Sequence, residues 1–221
     1  MQNQITEGSI LKPLLSFFFP ILLGTFFQQL YNTVDAIIVG NFVGTAALGA
    51  VGGPTAVVIN FLVNLFVGLS SGATVVISQF YGARHKDDVR KAVHTSIALS
   101  IAGGAVIMVL GIVFAGVALR AMNTPEDIMS LSVTYMRIYF LGVIPSLIYN
   151  MGSGILRAIG DSKRPLYYLI ASTLTNIVLD LFFVVVLRMG VAGVAIATTL
   201  SQFASAGMVI YALMKTDDMY K

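Results

Sequence analysis

Asp35 and Asp180 are each a full carboxylate inside a long apolar run. Asp35 lies in residues 13–39, with Gln28, Gln29, Tyr31 and Asn32 shortly before it. On insertion scales an Asp at mid-helix in a bilayer costs roughly 2.5–3.5 kcal/mol, while each Leu, Ile or Phe returns about 0.3–0.6 kcal/mol. A segment that served only as an anchor would not carry that group, and an ionisable residue in such a run is a site hypothesis by default. Asn176 precedes Asp180 by one helical turn, on the same face, and Thr198 follows in the next apolar run. Carboxylate, amide and hydroxyl oxygens together suit a hard cation such as Na+. The same carboxylates can carry protons instead, because removal from water disfavours their charged form. They can also be two unrelated helix-end residues, with Asp35 reaching the membrane interface.

The surrounding chain must position these groups within a bilayer. Of its 221 residues, 57% are hydrophobic and only 10% are charged, with a mean hydropathy of +0.88. Soluble domains carry roughly 25% charged residues, so the composition is that of a polytopic membrane protein. Six stretches reach the roughly 20 residues that a crossing needs: 13–39, 50–80, 92–118, 133–156, 166–187 and 191–214. Runs of that length without two-residue alternation are helices. The expected fold is therefore an all-α membrane protein, a single six-helix transmembrane lobe over residues 1–221. The apolar run after the polar, Glu7-containing N-terminus is too long for a signal peptide and reads as a retained first span.

Orientation comes from Lys and Arg in the connections. Ten of the thirteen fall on one side: Lys12, the cluster Arg84, Lys86, Arg90 and Lys91, then Arg157, Lys163 and Arg164, and finally Lys215 and Lys221. Both termini are expected in the cytoplasm. Their topological role also accounts for the net charge of +3 without invoking nucleic acid. With that orientation Asp35, Asp180 and Thr198 share a level roughly 7–12 Å below the outer edge, counted at about 1.5 Å per residue. Of the ten acidic residues, only Asp35 and Asp180 lie inside spans.

The first span has a second regularity. Pro20, Gly24, Gln28, Tyr31 and Asp35 follow one another at steps of three or four, which places them on one stripe. Pro20 removes a backbone donor and is expected to kink the helix. A kinked helix with a polar stripe suits a cavity wall better than a lipid face. Asn60, Asn64 and Gly68 make a similar stripe in the second span. Small residues at Gly190, Gly193, Ala195 and Ala197 allow close packing in the last.

Several features have plainer readings. His85 and His94 sit in or beside a basic loop and read as interfacial residues. The Arg84–Lys91 cluster reads as a topological determinant, with anionic lipid as the alternative. Arg137 reads as structural. The sequence contains no cysteine, which removes thiolate metal sites and cysteine catalysis. No nucleotide-binding loop, zinc spacing or hydrolase elbow occurs, so neither an enzyme nor a cofactor is expected.

Five motifs occur together and in order. They are Pro20…Gln28-x-x-Tyr31-x-x-x-Asp35 running into Ile37-Ile38-Val39-Gly40; Gln79-Phe80-Tyr81-Gly82-Ala83; Gly154-Ile155-Leu156-Arg157-Ala158-Ile159-Gly160-Asp161-Ser162-Lys163-Arg164-Pro165; Asn176-x-x-x-Asp180; and Gly193-Val194-Ala195-Ile196-Ala197-Thr198. With them the chain resembles the N-terminal half of a multidrug and toxic compound extrusion (MATE) transporter. The resemblance implies export of cationic, often aromatic drugs across the cell membrane by antiport against Na+ or H+, in a twelve-helix protein of two lobes. It implies a coupling-cation site at Asp35, Asn176, Asp180 and Thr198. It places Gln28, Tyr31 and Asn150 near the drug path, and links the Pro20 kink to bending of the first helix. Only one lobe is present, and alternating access needs two repeats to rock against each other. The expected partner, besides membrane lipid and the drug, is a C-terminal lobe or a second copy of the chain. The alternatives are a lipid-linked oligosaccharide flippase of the same superfamily and a non-transporting membrane scaffold. The scarcity of Lys and Arg within the spans, Arg137 excepted, argues against the flippase.

Overall fold

A computed structural model of the chain describes residues 11–215. Glu7 and Lys221 lie outside the described residues, as does the side chain of Lys12. All regular structure among the described residues is helical: α1 (Leu11–Phe42), α2 (Thr45–Gly52), α3 (Pro54–Gly82), α4 (Lys86–Ala121), α5 (Glu126–Leu141), α6 (Val143–Ala158), α7 (Lys163–Asp180) and α8 (Gly190–Lys215). A π-helical turn, Leu181–Val186, continues α7. By length and apolarity these make five membrane crossings, or six when α5 and α6 count as one bent span.

Two of the six expected spans are broken, each for a local reason. The second divides into α2 and α3 at Gly53-Pro54. Proline has no N–H to lose in a first helical turn and fits that position, and Pro54 opens α3. The fourth, expected as a single helix over 133–156, begins earlier, at Glu126, and bends by 50° between α5 and α6. Gly142 is the pivot. A Cβ there would meet the Gln202 side chain and lie 3.2 Å from the Thr199 Cα, so only glycine lets α8 come this close. α1 runs through Pro20 without interruption.

The connection from α6 to α7 is built by the Gly160–Arg164 segment. Gly160 adopts φ 89°, the left-handed conformation that ends helices. Its N–H bonds the Arg157 carbonyl at 3.0 Å, and the Asp161 N–H bonds the Leu156 carbonyl at 2.9 Å. Asp161 then caps α7, its Oδ1 accepting from the backbone N–H of Lys163 and Arg164, both at 3.1 Å. Its Oδ2 pairs with Arg164 Nε at 3.0 Å.

Helices α5, α6 and α8 form the centre. The main core gathers buried Phe140, Met136, Leu119, Ile107 and Val194. A second cluster, around Ile77, Val89, Val93, Met151 and Ile155, lies beside the α3–α4 connection. By contrast α1 packs along α7, touches α2 and α8 briefly, and does not meet α3. Its Leu14, Leu15, Phe18, Phe19, Leu22 and Phe26 are exposed. That much bare apolar surface is foreign to a soluble protein and ordinary against lipid. A cleft opens where α1 and α3 stand apart.

Candidate functional site

The predicted carboxylates come together. Asn176 lies between Asp35 on α1 and Asp180 at the end of α7. With its amide oriented to satisfy its neighbours, its nitrogen donates to Asp35 Oδ1 at 2.9 Å and to Asp180 Oδ2 at 3.2 Å. Asp180 and Asn176 are fully buried and Asp35 is 8% exposed. Asp180 Oδ1 is buried with no hydrogen-bond partner. Among the described residues no Lys, Arg or His pairs with either carboxylate. One amide cannot compensate two buried negative charges. The arrangement therefore calls for positive charge, as a proton or a metal cation, and the vacant oxygen of Asp180 is a place to receive it.

Thr198 enters by a different route from the one its depth suggested. It is buried on α8, and its hydroxyl accepts from Tyr31 Oη at 3.3 Å. Tyr31, expected along the drug path, thus joins α1 to α8 one turn from Asp35. Asn176 also differs from expectation, since it presents N–H rather than its amide oxygen to the carboxylates. The π-turn begins immediately after Asp180, and such turns recur at functional sites. Gly193 seats α8 against it, for a Cβ there would lie 3.1 Å from the Phe183 Cβ.

From this pair a cleft of about 670 Å³ extends between α1–α7 and α3–α6. All five stripe residues, Pro20, Gly24, Gln28, Tyr31 and Asp35, line it, and Asn60, Asn64 and Asn150 lie on the facing wall. Asn150 Nδ2 donates to the Ser146 carbonyl of its own helix at 2.9 Å. Gly68, the last member of the α3 stripe, is not among the lining residues.

Sequence reasoning missed three contributors. Tyr135 and Tyr139 of α5 line the cleft, with ring centroids 6.1 Å apart. Their i, i+4 spacing was the available signal. Arg157, assigned to a loop, is instead in the last turn of α6, half-buried in the cleft wall. The left-handed stop at Gly160 was the signal that the helix reaches this far. The spans are therefore not free of cations beyond Arg137. Arg137 itself is exposed and donates from Nε to the Ile112 carbonyl at 3.3 Å, a structural tie. His94 is exposed, and His85 pairs with Asp88 at 3.4 Å. Among the described residues no three His, Cys, Asp or Glu side chains cluster as a metal site.

A bundle of helices long and apolar enough to cross a membrane several times, with a polar cleft ending on a buried carboxylate pair, has the build of a membrane transporter. The MatE family model matches residues 20–182, and the chain belongs to this family, which is one of transporters and not of enzymes. It is 36% identical over 204 residues to "Probable multidrug resistance protein YpnP" of Bacillus subtilis (strain 168), covering 89% of this chain and 44% of that protein. Among solved structures it superposes on a MOP superfamily transporter from Pyrococcus furiosus with a TM-score of 0.88 at 31% identity, covering 95% of this chain and 46% of that one. The outward-facing conformation of a MATE family transporter gives a TM-score of 0.87 at 31% identity, with the same two coverages. The chain spans about half the length of the relatives it matches.

Proposed function

We propose that residues 1–221 are the N-terminal six-helix lobe of a cation-coupled multidrug exporter, carrying its coupling site at Asp35, Asn176, Asp180 and Thr198. The observation that carries this reading is the buried carboxylate pair held on one amide, with an unpartnered oxygen, at the end of a polar cleft. Na+ or H+ arriving from outside neutralises the pair. Neutralisation alters how α1 is held, through Asn176 at Asp35 and through Thr198 at Tyr31, and so changes the cleft that holds a cationic organic compound beside Gln28, Tyr31 and Asn150. Drug and cation favour different positions of α1, and that difference is the coupling free energy. A proton can occupy the site with Asn176 as it stands. Na+ bound through the amide oxygen requires the amide to turn over. The second lobe, from the rest of a longer protein or from a second copy, supplies the surface against which this one rocks. The lobe lies in the cell membrane with both termini cytoplasmic.

A flippase for lipid-linked oligosaccharides is the second reading, favoured by the Arg157 guanidinium in the cleft wall. The test is ethidium efflux from cells expressing the gene that encodes this chain. Asp35→Asn is expected to abolish efflux while the protein still reaches the membrane. Undiminished efflux would remove Asp35 from the mechanism, and absence of efflux from the wild type as well would favour the flippase or a scaffold.

A further inference from the structure

The two ends of the cleft differ in charge. Its outer end holds the carboxylate pair, while Arg157 stands at the inner mouth, near Ser162 and Pro165 at the start of α7. Pro165 precedes Asn176 by eleven residues on α7, a rise of about 16 Å, so Arg157 is too far from Asp35 and Asp180 to neutralise them. Its side chain is held back along its own helix by one bond, from Nε to the Ser153 carbonyl at 3.1 Å. A guanidinium carries five N–H donors. Among the described residues the other four have no partner, and no carboxylate lies within ion-pair distance. Arg164, seven residues on, is by contrast paired with Asp161 at 3.0 Å.

The ordinary role of a basic residue in a last turn is to satisfy helix-end carbonyls. Here three of those carbonyls are already taken. Ile155, Leu156 and Arg157 accept from the N–H groups of Ile159, Asp161 and Gly160 at 3.3, 2.9 and 3.0 Å. The surrounding wall is fixed as well, because Tyr149 Oη donates to the Pro165 carbonyl at 3.1 Å and ties α6 to α7. The result is a half-buried cation with a planar face of free donors on a rigid wall.

We infer that Arg157 forms an oxyanion subsite at the inner mouth of the cleft, taking the carboxylate or phosphate of an acidic or amphoteric amphiphile. This deepens the transport reading and rests on it, since it assigns a ligand class to the same cleft. Guanidinium matches either oxyanion by two parallel N–H···O bonds. A substrate with an acidic group would be held by that group at the inner end, leaving its cationic or aromatic part to reach toward Tyr31 and the carboxylates.

The experiment compares two probes that differ only in the acidic group, a rhodamine with a free carboxylate and its methyl ester. Binding to the purified, nanodisc-embedded product of the gene is read by fluorescence polarisation. In Arg157→Gln the ratio of acid to ester affinity is expected to fall roughly tenfold or more, the worth of a hydrogen bond to a charged group. In Arg157→Lys, which keeps the charge but not the fork, it falls by a few-fold. A ratio unchanged in both variants, or acid and ester weakened in parallel, overturns the inference. Replacing phosphatidylcholine with phosphatidylglycerol separates the sources of the oxyanion. Both lipids carry a phosphodiester, but only phosphatidylglycerol leaves it without an attached cation, so competition with the acid in the wild type but not in Arg157→Gln identifies an anionic lipid headgroup, and no competition identifies the free substrate. Binding is read without transport, so a wild type that shows no ion-coupled efflux sinks the antiport reading alone.

Discussion

Replacement of Asn176 by leucine tests the clamp between the two carboxylates. Leucine has the same number and branching of side-chain heavy atoms as asparagine, with bulkier methyl groups, so no cavity opens and the main loss is that of two hydrogen bonds, at 2.9 Å to Asp35 and 3.2 Å to Asp180. The two bonds to carboxyl oxygens together contribute about 2.5–4 kcal/mol. Asp180 is fully buried and does not line the cleft, so water does not replace the amide there. Asn176→Leu is therefore expected to lower unfolding stability by about 2.5–4 kcal/mol, measured by reversible detergent-denaturant titration. A double-mutant cycle with Asp35→Leu should show coupling above about 1 kcal/mol, since the two side chains touch. A stability loss below about 0.5 kcal/mol, or strict additivity in the cycle, would refute the bridging geometry.

Two further substitutions probe how the lobe is held together. Gly152→Leu drives a side chain into Val209 of α8 and should destabilise the α6–α8 contact by about 1–3 kcal/mol, seen as a lower midpoint in the same titration. Asp161→Ala removes the cap of α7 and should cost about 1 kcal/mol. If α7 were held only by its packing, the Asp161→Ala midpoint would not move.

The site was more legible than the helices that carry it. Helical periodicity alone put Pro20, Gly24, Gln28, Tyr31 and Asp35 on one stripe, and all five line the cleft. Counting residues from the helix ends placed Asp35 and Asp180 at one depth, and one amide bridges them. Depth could not tell which groups touch. Thr198 is reached through Tyr31, a contact that depends on the rotation of α8 about its axis. The breaks at Gly53 and Gly142 were hidden because the apolar runs continue across them, and hydropathy does not register a bend. Arg157 was misread because a cation at the end of an apolar run looks like a loop residue until the left-handed stop at Gly160 shows where the helix ends. Tyr135 and Tyr139 were not singled out, because an i, i+4 pair of tyrosines does not by itself say which side of α5 faces the cleft.

The central claim is that the buried carboxylates exchange a cation for an organic substrate. The most direct test is to reconstitute the product of the gene in vesicles and follow the cation itself, with a pH-sensitive dye for H+ and radioactive sodium for Na+. Adding substrate to one side should drive one of these cations toward that side in the wild type, and Asp180→Asn should abolish the flux while leaving the protein inserted. Substrate movement with no flux of either cation, or an undiminished flux through Asp180→Asn, would contradict the account.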